Sequence, residues 1–313
     1  MGRKAKVRRP PYVEGPRVLN GPEFGSINRQ LSDRHWRDAL DEGVGTAIER
    51  DAFENRRRGY LGLMLGGAAS GRVLEIGAGT GVVSALLAGY FRSVVAMDLD
   101  ECAVEFMKHR FSQDGQDNVD VIRANAHRLP FRRGSFDLVL LNGVLEWLPS
   151  TAPSADPRRV QLRFLQDCAG LLKPGGRICI GIENRLHFNH FLGRTPHGDI
   201  PFTTILPRRM AGWISRRLRG APYDTYIYSS WGLARLLRAS GFAHSEIYTA
   251  LPNYRDPILI APMQSSAVLH ETLVSSASLP RGGSRRAVFL MLSRLGLIKH
   301  LLHSFFLVGR KVA

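Results

Sequence analysis

The sequence predicts an α/β fold, a doubly wound and mostly parallel sheet covered by helices on both faces. Two observations predict it, and a third excludes a disulfide-built or metal-built alternative. Short apolar runs of strand length alternate with segments of helical spacing between Val73 and Glu183. The first run, Val73–Ile76, passes into the glycine-rich turn Gly77-Ala78-Gly79-Thr80-Gly81 and then into the helix-compatible segment Val82–Ala88. The three cysteines, Cys102, Cys168 and Cys179, are too widely spaced for a disulfide framework or a metal cluster.

Each element follows in order. Val73–Ile76 is the first strand. Val94-Val95-Ala96-Met97-Asp98 is the second and ends on a carboxylate. Val119–Arg123 is a third, followed by Ala124-Asn125-Ala126. Ser135–Leu141 is a fourth that leaves the sheet at Asn142-Gly143. A helix then closes at Leu172-Lys173 in the turn Pro174-Gly175-Gly176, and Arg177–Glu183 is the fifth strand. Further on, Ser229–Arg238 reads as a capped helix, Gly241-Phe242 stops it, and Glu246-Ile247-Tyr248 opens a sixth strand.

The turn after the first strand places a small molecule at a helix N-terminus. A dinucleotide fingerprint has the spacing G-x-G-x-x-G, whereas this one is G-x-G-x-G. Glu75, just before the turn, would repel a pyrophosphate and favour an ammonium or sulfonium group. Asp98, about 20 residues beyond the turn, is placed to accept from both hydroxyls of a ribose. The ligand so described has a ribose and a cationic end, and lacks a pyrophosphate.

The ordered set EIGAGTG, MD, ANAHRLPF, FDLVLLNGVLEW and LLKPGGR, from about Leu61 to Ile182, resembles the class I S-adenosylmethionine-dependent methyltransferases. The resemblance implies a Rossmann-like, mostly parallel seven-stranded sheet with an antiparallel last strand. It implies S-adenosyl-L-methionine as cofactor. Gly77, Ala78, Gly79 and Gly81 would cradle its methionine part, with Glu75 near the amino end. Asp98 would hold the ribose, with Leu99 against the adenine. Asn125, with Ala126 beside it, stands where the family often has an aspartate that accepts from the adenine amino group. An asparagine oxygen can accept that bond too. Asn142 and Gly143 would lie near the sulfonium, and Glu146, one helical turn on, toward the substrate. Plainer roles exist for three of these residues: Glu75 capping the turn, Asp98 as a helix N-cap, and Glu146 as a structural carboxylate.

The chain has 313 residues and a formal net charge of +16. That length divides into a basic, loosely packed or disordered arm over 1–45, a cofactor-binding core over 46–183, an insertion over 184–228 and a C-terminal part of the core over 229–313. The arm carries Arg3, Lys4, Lys6, Arg8 and Arg9. Other clusters are Arg56–Arg58, Arg208-Arg209, Arg216-Arg217 and Arg285-Arg286. Such charge attracts RNA, anionic phospholipid or a phosphorylated glycan precursor, or simply makes a solvated surface. No RNA-binding module is recognisable, which weakens the nucleic-acid reading. The N-terminus has no apolar signal region, and no run is long enough to span a bilayer. A reduced, cytoplasmic setting is expected, with peripheral contact at the inner face of the membrane as a further option.

The insertion leaves the fifth strand at Glu183-Asn184-Arg185 and is rich in His, Arg, Pro and aromatic residues. A long irregular segment at that edge of the sheet reads as a substrate lid. Its pattern resembles a bacterial subgroup found with glycosyltransferases of surface-polysaccharide assembly, which implies methylation of a sugar or glycan hydroxyl. At the C-terminus, Ala287–Leu302 reads either as a basic amphipathic helix on an anionic membrane or as a helix packed on the domain. In the second case Ser304–Gly309 is the last, antiparallel strand.

Methyl transfer is an in-line displacement that depends largely on alignment. A sugar hydroxyl also needs a general base. Candidates are His187, His190, His197, Glu146 and Glu183, with His197 favoured because His197-Gly198-Asp199 sets an imidazole beside a carboxylate. No metal site is expected. Three functions therefore stand: a small-molecule or glycan O-methyltransferase, an RNA methyltransferase, and a non-catalytic binding protein of the same fold.

Overall fold

The computed structural model describes residues 21–43, 47–65, 71–152, 156–194, 200–220, 223, 226–275 and 283–312. Four helices come first: α1 (Gly21–Asn28), α2 (Trp36–Gly43), α3 (Ala47–Glu54) and α4 (Tyr60–Met64). The alternating region is β1 (Arg72–Ile76), α5 (Val82–Leu87), β2 (Ser93–Asp98), α6 (Glu101–Gln113), β3 (Val119–Arg123), β4 (Phe136–Asn142), α7 (Pro157–Leu171) and β5 (Leu172–Glu183). There follow α8 (Arg208–Arg219), α9 (Ser230–Ala239), β6 (Phe242–Pro252), β7 (Pro257–Pro262), α10 (Ser266–Ser275), α11 (Gly283–Arg294) and β8 (Ser304–Lys311).

One eight-stranded sheet runs in the order β3-β2-β1-β4-β5-β8-β6-β7. The first five strands are mutually parallel, and β8 is antiparallel to both β5 and β6. The sheet has one strand more than the seven expected. β7 pairs antiparallel with β6 at the edge. Its sequence, Pro-Ile-Leu-Ile-Ala-Pro, is short and bounded by prolines, which suits an edge strand and hides it from a search for longer runs.

The central strands are apolar on both sides because helices cover both faces. Leu74 and Ile76 of β1, Ile178, Ile180 and Ile182 of β5, and Phe305 and Leu307 of β8 enter the core beneath α7 and α9. Val73, Cys179, Phe306 and Val308 point to the opposite core beneath α4 and α5. This alternation fixes register, since a one-residue slip would exchange the two faces. Each fully buried Leu or Ile contributes roughly 1.5–3 kcal/mol.

The first 45 residues differ from expectation where they are described. Phe24, Ile27, Leu31, Trp36 and Leu40 are buried with Phe53 and Phe106 of α6. Trp36 also donates from Nε1 to Asp114 (3.0 Å) and lies under the Arg110 guanidinium. Residues 21–43 are thus a packed helical pair, whose short eight-residue helices offered little periodicity to read. The basic stretch over residues 1–20 lies outside the described residues.

At the other end, Ser304–Lys311 forms the antiparallel strand. α11 packs through Phe289 and Leu292 on a cluster with Leu251, Leu269, Leu273 and Ile298. Among the described residues, no helix is long and apolar enough to cross a membrane.

Candidate active site

The carboxyl ends of the parallel strands carry two groups of chemistry-bearing residues. The first gathers around β1 and β2. The N–H groups of Gly77 and Ala78 donate to the Met97 carbonyl (2.8 and 3.1 Å), which pins the turn to the end of β2. Gly79 N–H donates to Asp98 Oδ2 at 2.7 Å, and Asp100 N–H donates to Oδ1 at 3.0 Å. Two backbone donors therefore fix the Asp98 carboxylate while each oxygen keeps a lone pair for a ligand hydroxyl. Asp98 is not the N-cap of α6; Asp100 takes that role through Cys102 and Ala103.

The three turn glycines divide by function. All have positive φ. A Cβ on Gly77 would stand 2.4 Å from Val144, and one on Gly81 2.7 Å from Phe111, so the protein's own packing requires both to be glycine. A Cβ on Gly79 would meet nothing within 4 Å. Gly79 is thus the position where the backbone lies open to a ligand. Leu99, 51% exposed next to Asp98, offers an apolar surface there. Asn125 is exposed, and its Oδ1 accepts from His127 N–H at 2.9 Å, which leaves one lone pair; Ala126 beside it is half-buried.

Glu75 is almost wholly buried, and Ser84 Oγ of α5 donates to it at 2.5 Å. Burial pushes its carboxyl up to about 7, against the opposing effect of the Ser84 bond. A carboxyl so poised favours any cationic group brought to the turn.

The second group lies at the ends of β4 and β5. Asn142 Oδ1 is buried without a hydrogen-bond partner, against the bare Cα of Gly181. Gly143 has φ 76°, and a Cβ there would collide with the Tyr254 hydroxyl at 2.5 Å. Glu146 is fully buried, with neither carboxylate oxygen receiving a donor. Burial, and next the neighbouring Glu183, raise its carboxyl well above the usual range. A protonated carboxyl donates, so a proton on Glu146 would give these buried oxygens a bond that the ionised form lacks. Glu183 accepts from Arg255 Nη2 at 3.1 Å and from the Tyr254 hydroxyl at 3.3 Å; Arg255 Nε also donates to that hydroxyl at 2.9 Å.

Sequence reasoning did not identify Ser84, Tyr254 or Arg255. Tyr254-Arg255 lies in a turn after β6, and nothing in its local pattern announces that it folds under β5.

The insertion starts and ends in a single parallel bridge between Asn184 and Tyr228. Arg185 ties it together, donating to the carbonyls of Thr204 (2.9 Å) and Leu206 (2.7 Å). Buried Gln161 of α7 donates to the carbonyls of Leu145 and Tyr226, and accepts from the Tyr228 hydroxyl at 2.7 Å. Tyr226 N–H reaches the Glu146 carbonyl at 3.4 Å.

Of the three candidate histidines, His187 and His190 are buried edge-to-face neighbours, with His303 against His187. His190 Nδ1 meets the Arg185 carbonyl at 3.0 Å, which places its proton on that nitrogen. Burial, followed by the adjacent His303 and His190, lowers His187 to about 2, so it stays neutral. The environment of Glu146 is Glu183 and Arg255, whereas that of His190 is Arg185 and His187. His197 and Asp199 lie outside the described residues. Among the described residues, no group of three or more His, Cys, Asp or Glu side chains is placed to hold a metal.

A glycine turn open to a ligand at β1, a fixed acid at β2 and an acceptor-rich pocket end at β4 define a nucleoside-binding α/β protein of the methyltransferase type. The family described as "Methyltransferase domain" matches residues 74–180. A ubiquinone biosynthesis O-methyltransferase from Aromatoleum aromaticum is 32% identical over 182 residues, 52% of this chain and 73% of that protein. The chain belongs to the S-adenosylmethionine-dependent methyltransferases.

A probable S-adenosylmethionine-dependent methyltransferase from Mycobacterium tuberculosis is 33% identical over 138 residues, 44% of this chain and 43% of the relative. The chain spans less than half the length of several such relatives, down to 25% of a bifunctional biotin-biosynthesis protein from Cellvibrio japonicus. In fold it is similar to a phosphoethanolamine N-methyltransferase from Haemonchus contortus, solved with S-adenosylhomocysteine. The TM-score is 0.51 at 16% identity, covering 95% of this chain and 61% of that one.

Proposed function

We propose that this chain transfers the methyl group of S-adenosylmethionine to an oxygen of a small-molecule acceptor. The observation that carries the reading is the pairing of Gly79's open backbone with an Asp98 carboxylate held by two amides. When bound, the cofactor supplies a methyl carbon on a positively charged sulfur, and that bond breaks with its electron pair returning to sulfur.

Every other task falls to the chain. Gly77 and Gly81 keep the turn compact, and Gly79 receives the ligand. Asp98 accepts from the ribose hydroxyls, and Leu99 covers one face of the adenine. Asn125 offers its remaining lone pair at the far edge. Glu75 and the unpartnered oxygens of Asn142 and Glu146 bias this strip of the site toward positive charge and hydrogen-bond donors. Glu183 accepts the proton of the acceptor hydroxyl, because Arg255 and the Tyr254 hydroxyl favour its ionised form, while buried Glu146 beside it keeps its own proton. Tyr254 and Arg255 position Glu183. The described part of the insertion, tied to α7 through Gln161 and Tyr228, is the substrate lid on the acceptor side.

Two acceptor classes are distinguished by what supports them. The sequence pattern of the insertion favours a sugar or glycan precursor. The Aromatoleum relative, a ubiquinone biosynthesis O-methyltransferase, favours an oxygen of a small molecule on the way to a quinone. An RNA acceptor has only the net charge of +16 behind it.

Calorimetry with S-adenosylmethionine and S-adenosylhomocysteine tests the cofactor half. Wild type should bind both, and Asp98→Asn should weaken both by about tenfold or more, the loss of one charge-assisted bond. Unchanged affinity in Asp98→Asn removes the ribose assignment. Transfer of tritiated methyl to a panel of sugars, phenols and RNA then separates the acceptors. Label on RNA alone overturns the small-molecule reading.

A further inference from the structure

Helix α8, in the middle of the insertion, carries chemistry that neither the cofactor site nor the acceptor site uses. Its sequence is Arg-Arg-Met-Ala-Gly-Trp-Ile-Ser-Arg-Arg-Leu-Arg. Only Ala211 and Ser215 are buried. They stand one helical turn apart and seat the helix on the protein along a narrow stripe of small side chains. The opposite face projects outward, with Trp213 59% exposed and Met210 51%.

A helical wheel puts Arg209 and Arg216 on one side of Trp213, and Arg217 and Met210 on the other. The Arg217 guanidinium lies 5.7 Å from the Trp213 ring. No Asp or Glu occurs between Ile200 and Gly220.

A second exposed apolar group lies earlier in the insertion. Phe202 (47% exposed) packs against Gly193, directly after Phe191 (49%) and Leu192 (58%). Arg185 ties the stretch before Gly193 to the stretch before α8, through His190 on one side and the carbonyls of Thr204 and Leu206 on the other.

Isolated exposed apolar residues need no explanation, but Trp213 and Met210 side by side on an acid-free helix face bordered by Arg209, Arg216 and Arg217 do. We propose that α8 and the Phe191–Leu192–Phe202 cluster form a docking face for the surface of an anionic phospholipid bilayer. Charge complementarity names the occupant: arginines around Trp213 meet lipid phosphates, while Trp213 and Met210 enter the headgroup–acyl boundary. Leu192 and Met210 argue against RNA, because they offer no ring on which a base stacks.

The face adjoins the acceptor side of the site. Arg208, the first residue of α8, sits 4.2 Å over the Tyr226 ring and donates to the Ile227 carbonyl, while Tyr226 N–H meets Glu146. The proposal does not depend on the acceptor's identity, and its test needs no turnover. It assigns membrane contact to α8, in place of the C-terminal helix considered from sequence, since α11 turns Phe289 and Leu292 into the protein.

The test is co-sedimentation of the full chain with vesicles of phosphatidylcholine alone and of phosphatidylcholine with phosphatidylglycerol. Wild type should partition onto the anionic vesicles at least about tenfold better than onto neutral ones. Two α8 variants, Met210→Ser/Trp213→Ser and Arg209→Gln/Arg216→Gln/Arg217→Gln, should each lose most of that binding. Arg294→Gln/Lys299→Gln should keep it. All changed side chains on α8 are exposed, so circular dichroism and S-adenosylhomocysteine affinity should match wild type and exclude misfolding. Undiminished binding by both α8 variants overturns the proposal, as does loss in the Arg294/Lys299 variant alone. If wild type ignores both vesicle types yet binds RNA through the same arginines, the surface is a nucleic-acid one and the lipid assignment fails.

Discussion

The cofactor side and the acceptor side of this site both rest on buried carboxyls, but they are built from different distances along the chain. Around β1 and β2 the defining contacts are short-range: Glu75 to Ser84 spans 9 residues and Gly79 to Asp98 spans 19. Around β4 and β5 they are remote. Glu183 meets Tyr254 and Arg255 across 71 and 72 residues, and Asn184 meets the Leu302 carbonyl across 118. Glu75 has a hydroxyl donor and titrates near neutrality. Glu146 has none, and burial beside Glu183 raises its carboxyl well above the usual range. The contrast teaches where conservatism and variation can live. A local turn can bind one fixed cofactor, while a pocket end assembled from remote loops can be rebuilt for a different acceptor.

Arg255→Met should produce the largest effect. Removing the cation beside Glu183 leaves buried carboxylate charge without compensation, at an expected cost of about 3 kcal/mol or more in urea unfolding. Adding Glu183→Gln to that variant should restore a good part of the loss. If Arg255→Met unfolds at the wild-type midpoint, the acceptor side does not depend on its remote partner.

Next comes a pair within the cofactor turn. Gly77→Ala forces a methyl into Val144 at positive φ and should cost about 1–3 kcal/mol of stability. Gly79→Ala meets no protein atom, so its stability loss should be smaller, about 1 kcal/mol. Its loss of S-adenosylhomocysteine affinity should nevertheless be large relative to its loss of stability. Equal losses of both quantities in the two variants would remove the distinction between packing glycine and ligand-facing glycine.

The smallest effect is a slope. The Glu75 carboxyl keeps its proton to about 7 in the fold, whereas an unfolded glutamate releases it near 4.5. Between those values the native state binds more protons, so this group makes stability fall as pH rises from 4.5 toward 7 and level off above. Glu75→Gln should flatten that part of the Tm–pH curve. An unchanged curve would mean that Glu75 is ionised in the fold.

The order and register of β1 to β5 were legible because each strand is a compact apolar run with a turn signal after it. The glycine turn after β1 and the carboxylate that ends β2 were legible because each directly follows an apolar strand run. The carboxylates Glu146 and Glu183 were visible as candidates, but their mutual contact was not. Residues 21–43 read as a loose arm because short helices show their apolar face only when Phe106 and Phe53 are there to receive it. The edge strand β7 was hidden between two prolines.

By itself, the sequence determined the α/β class, the direction of the first five strands and the cofactor turn, since alternating patterns and positive-φ glycines act within a few residues of themselves. Only the tertiary structure decided which glycine opens to a ligand, that Tyr254 and Arg255 attend Glu183, and that α8 turns its tryptophan and arginines outward. Those outcomes depend on which surfaces meet across 70 residues or more of chain, and burial, not spacing, selects them.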